Sequence, residues 1–170
     1  MHAVGEAVEL RHGRDLLFRY VYESGVDPEE SPKPYFRPLR TLAGEEVTLF
    51  RPHDHPWHTG LAMTSAHLSA ENFWGGPTFV RDEGYAWLEN QGRIRHQAWK
   101  EMLGDRPLLR EQLSWISHEE ETWIEEERGI SVGDGRGHRA DGNPPAPRTL
   151  RARHQGSGRC RAARRRCCRA

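Results

Sequence analysis

Three histidines, His53, His55 and His58, fall within six positions of the sequence. If this segment is extended, His53 and His55 point to one face of a strand, with their Cα atoms about 6–7 Å apart. Two imidazoles on one face can converge on one metal ion, and His58, after the rigid Pro56, could bend back as a third ligand. Neutral imidazole suits zinc, copper, iron or nickel, so the pattern is compatible with a divalent metal ion as cofactor.

The same histidines could also act without a metal. Imidazole has a pKa near neutrality and can give or take a proton at a sugar hydroxyl or anomeric oxygen. Asp54 or Glu71 could hold such a ring in one tautomer. A structural interpretation is equally open: Pro52, Pro56 and Trp57 could fix a rigid, hydrogen-bonded loop with no chemical role. The pattern therefore leaves a metal site, a catalytic polar site and a structural loop as alternatives.

Side chains that could bind a carbohydrate follow the histidines along the chain. Glu71, Asn72, Trp74 and Arg81 are the candidate substrate-binding residues. A Trp face can stack on the apolar side of a sugar ring, while carboxylate, amide and guanidinium groups bond its hydroxyls. Packing in the core is the alternative for each Trp. His96 is a weaker candidate for the same pocket.

The elements that must position these residues read as short strands joined by turns. The segment 15–23 is aromatic and β-branched, 84–89 alternates with period two, and Asn90–Gly92 resembles a tight hairpin connection to the next strand. Pro38 restricts its strand to an edge or an irregular position. The pattern predicts an all-β fold, either a sandwich or a barrel. Of these we expect an antiparallel β-sandwich of jelly-roll or mutarotase-like supersandwich type. The predicted strands are 15–23, 35–42, 46–50, 84–89, 93–99, 113–117 and 122–125.

The balanced net charge hides two unlike parts. Residues 1–127 carry 13 Lys and Arg against 23 Asp and Glu, whereas residues 128–170 carry 12 Arg against 2 Asp. All Trp, Phe and Tyr residues lie in the first part, and all three Cys lie in the second. We therefore expect the folded domain to span 1–127 and a basic tail to span 128–170.

The basic tail lacks the aromatic and branched apolar residues that could offset the entropy of ordering. It could be a disordered tail, a nucleic-acid-binding arm or the out-of-frame translation of a GC-rich gene. The last interpretation is favoured, because the composition changes abruptly within a predicted strand; nucleic acid is therefore not expected as a partner. The three Cys of the tail lack a second pair at zinc spacing.

The composition of the first part favours a soluble, cytoplasmic protein. It contains no Cys, so it has no disulfide framework. The first residues contain acids and no continuous apolar run, unlike a signal peptide. No stretch approaches the roughly 18 apolar residues that cross a bilayer. We expect a small-molecule or carbohydrate ligand and no membrane partner.

Two motifs carry a family resemblance. The run from Arg51 to Leu61 (RPHDHPWHTGL) and the run from Asn72 to Val80 (NFWGGPTFV) resemble the PmoA-like family of bacterial proteins, which bears the label methane oxygenase. The similarity also includes residues 33–45 and 84–88 and extends weakly to 127.

The resemblance implies a larger all-β protein of which this chain is the N-terminal half. It also implies a role in carbohydrate catabolism. From the residues themselves we expect the histidine cluster to act on a sugar derivative in isomerase, lyase or hydrolase chemistry. A non-catalytic carbohydrate-binding sandwich and a non-functional truncated product are the alternatives. Methane oxidation is not expected, since methane monooxygenase subunits are membrane proteins and no membrane-spanning segment is present.

Overall fold

The computed structural model describes residues 2–4, 6–103 and 108–132. These residues contain strands and one short 3₁₀ helix, Pro28–Glu30, and no α-helix. None of the described segments forms a helix with the length and hydropathy that a membrane crossing requires. The strands are β1 His2–Val4, β2 Ala7–His12, β3 Asp15–Val21, β4 Tyr35–Leu39, β5 Leu61–Ala62, β6 Thr78–Val80, β7 Gly84–Ala86, β8 Arg93–Leu103, β9 Leu108–Ile116 and β10 Thr122–Ser131.

The strands form three antiparallel sheets. The first has five strands in the order β1-β2-β3-β4-β5, the second has three in the order β10-β9-β8, and β6 and β7 pair as a separate hairpin. Each of the two larger sheets is a meander in which strands adjacent in sequence are adjacent in space, as short connections favour. The predicted all-β class with antiparallel sheets is confirmed.

The two larger sheets pack face to face through alternate residues of their strands. Phe18 and Tyr20 of β3, two positions apart, both point inward, as the period-two alternation of a strand requires. They join Val8 of β2 in one cluster with Leu109 of β9 and Ile130 of β10. Because this cluster draws on both sheets, it is the hydrophobic core that joins them.

A second apolar cluster fixes the segment that follows the histidines. Phe73 is fully buried and packs with Ile94, Leu113 and Trp115 of the three-stranded sheet. A Cβ added at Gly92 would lie 2.4 Å from the Phe73 ring, so the absence of a side chain at Gly92 permits this packing. The loop after residue 71 is therefore attached to a rigid sheet.

Residues 90–92 do not form the predicted hairpin connection. The β7 strand pairs with β6, whereas β8 pairs with β9. Asn72 instead forms a parallel bridge with Gln91, with hydrogen bonds of 2.8 Å to the carbonyl of Asn90 and 3.0 Å from the amide of Gly92. The prediction of a strand at 46–50 is also wrong: Glu46 makes one isolated bridge, the amide of Val47 donates to the carbonyl of Leu39 at 2.8 Å, and residues 47–50 form no regular strand.

The last described strand passes through the boundary that composition predicts after Glu127. The β10 strand continues to Ser131, and both Arg128 and Ile130 are buried between the sheets. The change in composition is thus not a change in structure over these residues. The rest of the predicted tail, 133–170 with its three Cys, lies outside the described residues.

A group of buried polar side chains lies in the interior, on strands β3, β8, β9 and β10. Tyr20 donates a hydrogen bond to Glu111, and Nδ1 of His96 lies 2.9 Å from the other oxygen of that carboxylate. Arg128 contacts the Tyr20 hydroxyl at 3.3 Å and binds Glu126 through two N–H groups at 2.8 and 3.0 Å. We call these five residues the interior network; its two carboxylates bond to Arg128 and His96 of their own three-stranded sheet, and the Tyr20 hydroxyl links them to the five-stranded sheet.

Candidate functional site

The three predicted histidines lie on two consecutive turns rather than on an extended strand. The amide of His55 donates to the carbonyl of Pro52 at 3.0 Å, and the amide of His58 donates to the carbonyl of His55 at 3.0 Å. The second turn has Pro56 at its second position, where the fixed φ of proline favours a turn. The amide of Arg51 donates to the carbonyl of His58 at 2.7 Å and closes the loop at its base. We call residues 51–58 the histidine loop.

These turns bring two of the three imidazoles together. The ring centroids of His55 and His58 are 5.2 Å apart. His53 is exposed at the other turn, and its side chain makes no hydrogen bond, ion pair or ring contact within the described part of the chain. The expectation that His53 and His55 share one face is wrong, because it assumed an extended backbone where residues 52–55 turn.

The metal site predicted from His53, His55 and His58 is consequently not assembled. Among the described residues, no group of three or more His, Cys, Asp or Glu side chains is placed to hold a metal ion. The Asp54 carboxylate lies 3.0 Å from Nδ1 of His55, which occupies one nitrogen of that ring. The residues present do not fit a three-imidazole centre.

His58 lies between the other histidine and a tryptophan. Its ring centroid is 5.2 Å from that of Trp74, with the rings nearly perpendicular, and 6.2 Å from that of Trp57. Partial burial lowers the pKa of His58 below its ordinary value, and the nearby His55 and Lys33 lower it further, while Asp54 opposes them. These effects favour the neutral form of the His58 imidazole, which can accept a proton.

Asn72 organises the loop beside His58 instead of facing a ligand. Its side-chain oxygen accepts hydrogen bonds from the amides of Trp74 and Gly75 at 2.9 and 3.0 Å. Its NH₂ group donates to the carbonyl of Gly76 and the hydroxyl of Thr78 at 3.0 and 3.1 Å. Both donors and both acceptor positions are used, and the residue is buried. The predicted substrate-binding role of Asn72 is corrected to a structural one.

Glu71 points away from the histidine loop. Its buried carboxylate lies 2.5 Å from Nδ1 of His118 and accepts the backbone amide of His118 at 2.9 Å. The prediction that Glu71 binds substrate or orients a loop histidine is therefore wrong. The partner it does have, His118, lies 47 positions away in the sequence, in a turn that the strand pattern could not bring close.

Two glycines let the loop from 72 to 77 lie against the histidine loop. A Cβ at Gly75 would lie 2.4 Å from the carbonyl oxygen of Glu30, and one at Gly76 would lie 2.4 Å from the indole of Trp57. Both residues also have positive φ angles, which glycine adopts without strain. The Gly75-Gly76 pair is thus required by close packing as well as by the turn.

Lys33 is a buried residue to which the sequence assigned no role. Its ammonium donates to the carbonyls of Glu30, Ser31 and Trp74 at 3.1, 2.9 and 2.7 Å. Burial lowers its pKa to about 8, opposed by the charge of Glu30. Lysine is rarely buried unless it is paired, and the sequence pattern therefore gives no reason to expect Lys33 in the interior. Its hydrogen bonds tie the 3₁₀ helix region to the backbone of Trp74.

An open cleft of about 700 Å³ lies beside these residues, a volume within the roughly 300–1,000 Å³ of small-molecule sites. Of the predicted site residues, His55, His58 and Trp74 line it, and so does the buried Asn72; His53, Glu71 and Arg81 do not. His67, for which the sequence predicts no role, lines it as well. Its aromatic walls are Trp57, Trp74, Phe79 and Tyr85.

The cleft walls come from separate parts of the fold. The histidine loop supplies His55, Trp57 and His58, and the Asn72-clamped loop supplies Trp74 and Gly75. The β6–β7 hairpin supplies Phe79 and Tyr85, a cross-strand pair whose ring centroids are 5.5 Å apart. Arg81 lies in the turn of this hairpin, beyond the pair, which explains why it does not line the cleft.

A protein-family model, described as a family of unknown function (DUF6807), matches residues 7–141. No curated protein and no solved structure matches the chain. The match includes both core clusters, the histidine loop and the cleft, so these features lie within the family domain.

Proposed function

The chain belongs to the DUF6807 family, whose function is unknown, and we propose that its cleft binds a carbohydrate derivative from which His58 removes a proton. The observation that carries this proposal is the position of the His58 imidazole, between His55 and Trp74 in the wall of an aromatic cleft. The resemblance to PmoA-like proteins stays a prediction, because the description of the matching family names neither those proteins nor an activity.

Exposed aromatic surface supports a ligand with apolar ring faces. Trp74, Phe79 and Tyr85 expose 40%, 61% and 76% of their surface, although rings of this size are usually buried. A contiguous patch of exposed aromatic side chains is more often a binding site than an ordinary part of a protein surface. Sugars present such faces between their hydroxyl groups, and a cleft with aromatic walls and two imidazoles offers both kinds of contact.

The state of His58 supports a role as general base. A base must be unprotonated at the working pH and must reach its substrate. The lowered pKa meets the first condition, and the position of His58 in the cleft wall meets the second. The reaction class is proton abstraction beside the carbonyl of a keto- or aldo-sugar, the shared first step of isomerisation and of elimination. The proton passes to a ring nitrogen of His58.

The proposal uses no metal ion, because the three imidazoles predicted as ligands are divided between two turns. Methane oxidation is not proposed either: no residue of the cleft suggests it.

Carbohydrate binding without turnover is the second candidate. This candidate is favoured because the nearby carboxylates are already engaged: Glu71 is bonded to His118, and Asp54 is bonded to His55. Enzymes that act on glycosidic bonds commonly need a pair of available carboxyl groups. A cleft without a free carboxyl pair fits a binding module, and it disfavours hydrolysis among the enzymatic alternatives.

The test combines binding and exchange. Common aldoses, ketoses and their uronic acids are titrated against the protein while the indole N–H signals of Trp57 and Trp74 are followed by NMR. The binding sugars are then incubated in D₂O to detect deuterium at the carbon beside the carbonyl. We expect indole shifts with wild type and with His53→Ala, the matched control outside the cleft, and weakened shifts with Trp74→Ala.

The exchange experiment separates the two candidates. Deuterium incorporation that His58→Ala abolishes and His53→Ala retains supports the base. Binding without incorporation in wild type supports the binding module. Absence of any shift at the indoles across the sugars contradicts both candidates.

A further inference from the structure

A second hollow adjoins the cleft at His58. Its volume is about 300 Å³, and its walls include Val47, Leu49 and Leu61. The hollow and the cleft share three lining residues, Trp57, His58 and Trp74. These three side chains therefore form the boundary that the two spaces share, here called the partition, and His58 lines both spaces.

Two of the polar side chains around the hollow are bonded within the protein, whereas the buried hydroxyl of Thr59 has no hydrogen-bond partner among the described residues. The three N–H groups of Lys33 are taken by backbone carbonyls. The hydroxyl of Thr48 accepts the amide of Leu39 at 3.1 Å. What the hollow offers a ligand is then mainly apolar surface, with the Thr59 hydroxyl as one unpartnered polar group. Val47, Leu49 and Leu61 expose 59%, 71% and 49% of their surface.

We propose that the hollow is a subsite for the apolar group of a conjugate, an alkyl or aryl glycoside, whose sugar occupies the cleft. The sugar half of this inference rests on the proposed function; the apolar half rests on the hollow alone. An apolar cavity of roughly 150 Å³ accepts a benzene molecule, so about 300 Å³ accommodates a substituted phenyl ring or a short alkyl chain.

His58 lines both the cleft and the hollow, so a single ligand that fills both spaces passes beside its imidazole. A ligand that spans the partition places the bond between its sugar and its apolar group beside the imidazole. The substrate class is thereby narrowed to glycosides with an apolar substituent whose sugar ring carries a ketone, because the acetal carbon of a glycoside offers no carbonyl to take up the electron pair when His58 removes the neighbouring proton. A free monosaccharide would fill only the cleft and leave the exposed leucines of the hollow in water.

The hollow is tested with benzyl alcohol, an apolar probe that carries no sugar. The methyl signals of Leu49, Leu61 and Val47 are followed by ¹³C NMR during titration of the whole chain. We expect these methyl signals and the Trp57 and Trp74 indole signals to shift. Leu49→Asn should weaken binding about fivefold, because it removes roughly 1 kcal/mol of apolar contact.

Leu42→Asn is the matched control, since Leu42 is 84% exposed and does not line the hollow. Unchanged binding in that variant supports the assignment. Methyl signals that do not move, or an equal loss in both variants, would overturn it. Both leucines are on the surface, so neither change should unfold the protein.

A second comparison tests the conjugate itself. Phenyl β-glucoside should bind about tenfold more tightly than methyl β-glucoside and should shift the leucine methyls as well as the indoles. Equal affinity of the two glycosides overturns the spanning ligand. If benzyl alcohol binds in the hollow while no sugar binds the cleft, the subsite stands and the proposed function fails; the reverse result removes the subsite alone.

Discussion

The interior network and the cleft each contain histidine and aromatic groups, but these groups differ in burial and in hydrogen bonding. In the interior network, burial raises the pKa of Glu111, and the carboxylate is bonded to both Tyr20 and His96. In the cleft, His55 and His58 lie on an open loop and contact other rings. The interior groups satisfy one another, whereas the cleft groups leave surface for a ligand.

A perturbed pKa alone therefore does not identify a functional site. Such shifts cluster at functional sites, but structural ion pairs produce them too. Glu111 has no exposed surface, so a substrate could not reach it without separation of the sheets. The pKa of His58 is perturbed too, but His58 has an accessible position in the cleft wall. The predictions below test whether the interior network acts on stability and the cleft on binding.

The largest effect is expected from Glu111→Ala. The substitution leaves Tyr20 and His96 without their buried acceptor and should lower the free energy of unfolding by about 3–5 kcal/mol. Urea denaturation measures it. Glu111→Gln, which keeps one acceptor and gains a donor, should cost less, and the exposed Glu127→Ala should change stability by under about 0.5 kcal/mol. A Glu111→Ala loss as small as that of Glu127→Ala would show that the network does not join the sheets.

Asn72→Ala should have the next largest effect. It removes four hydrogen bonds of the loop beside the cleft and should lower the free energy of unfolding by about 2–4 kcal/mol. Asn72→Asp keeps the acceptor oxygen and loses the donors, so its loss should be intermediate. The ranking is measured by thermal and urea denaturation. An Asp variant as unstable as the Ala variant would contradict the role of the Trp74 and Gly75 amides.

Gly76→Ala should disturb the cleft through one contact. Its added methyl group would overlap the Trp57 indole at a positive φ of 69°, and the combined cost is about 2–3 kcal/mol. Gly84→Ala has a comparable φ of 87° with nothing within 4 Å of the new Cβ, so strain alone should cost about 1 kcal/mol. Only the first variant should change the Trp57 indole signal. The same signal change in both would remove the proposed contact.

A smaller, pH-dependent effect is expected at Lys33. Its pKa is about 8 in the folded chain and near 10.5 when unfolded, so the unfolded state holds more protons between these values. Stability contributed by Lys33 should therefore rise with pH, by about 1 kcal/mol between pH 7 and pH 9. The measurement is the difference in unfolding free energy between wild type and Lys33→Met. A difference that stays constant or falls over this range would contradict the lowered pKa.

The sequence predicts the strands better than their partners. Period-two alternation and β-branched residues identify β3, β8 and β10 because each has one buried face. Pairing depends on packing over long distances, which is why Asn90–Gly92 meets residue 72 and does not form a hairpin turn. The strand predicted at 46–50 has suitable residue types, but Leu49 lies beside the hollow and pairs with no strand.

The site is predicted in part for a related reason. Residue types identify the histidine loop and Trp74, but side-chain direction depends on local bonds. Asn followed closely by two glycines is also typical of an amide bonded to its own turn, and that signal could have identified the structural role of Asn72. No local signal predicts the contact of Glu71 with His118 or the burial of Lys33, since both arise from distant segments.

The most direct test of the account is an NMR titration of the His58 ring, because the central claim is that His58 is paired with His55 and not with His53. Wild type should show a His58 pKa below the ordinary value. His55→Asn should raise it, since it removes a neighbouring positive charge, although burial would keep part of the shift. His53→Asn should leave it unchanged. An equal response to both substitutions, or no response to either, would contradict the paired geometry on which the proposed base depends.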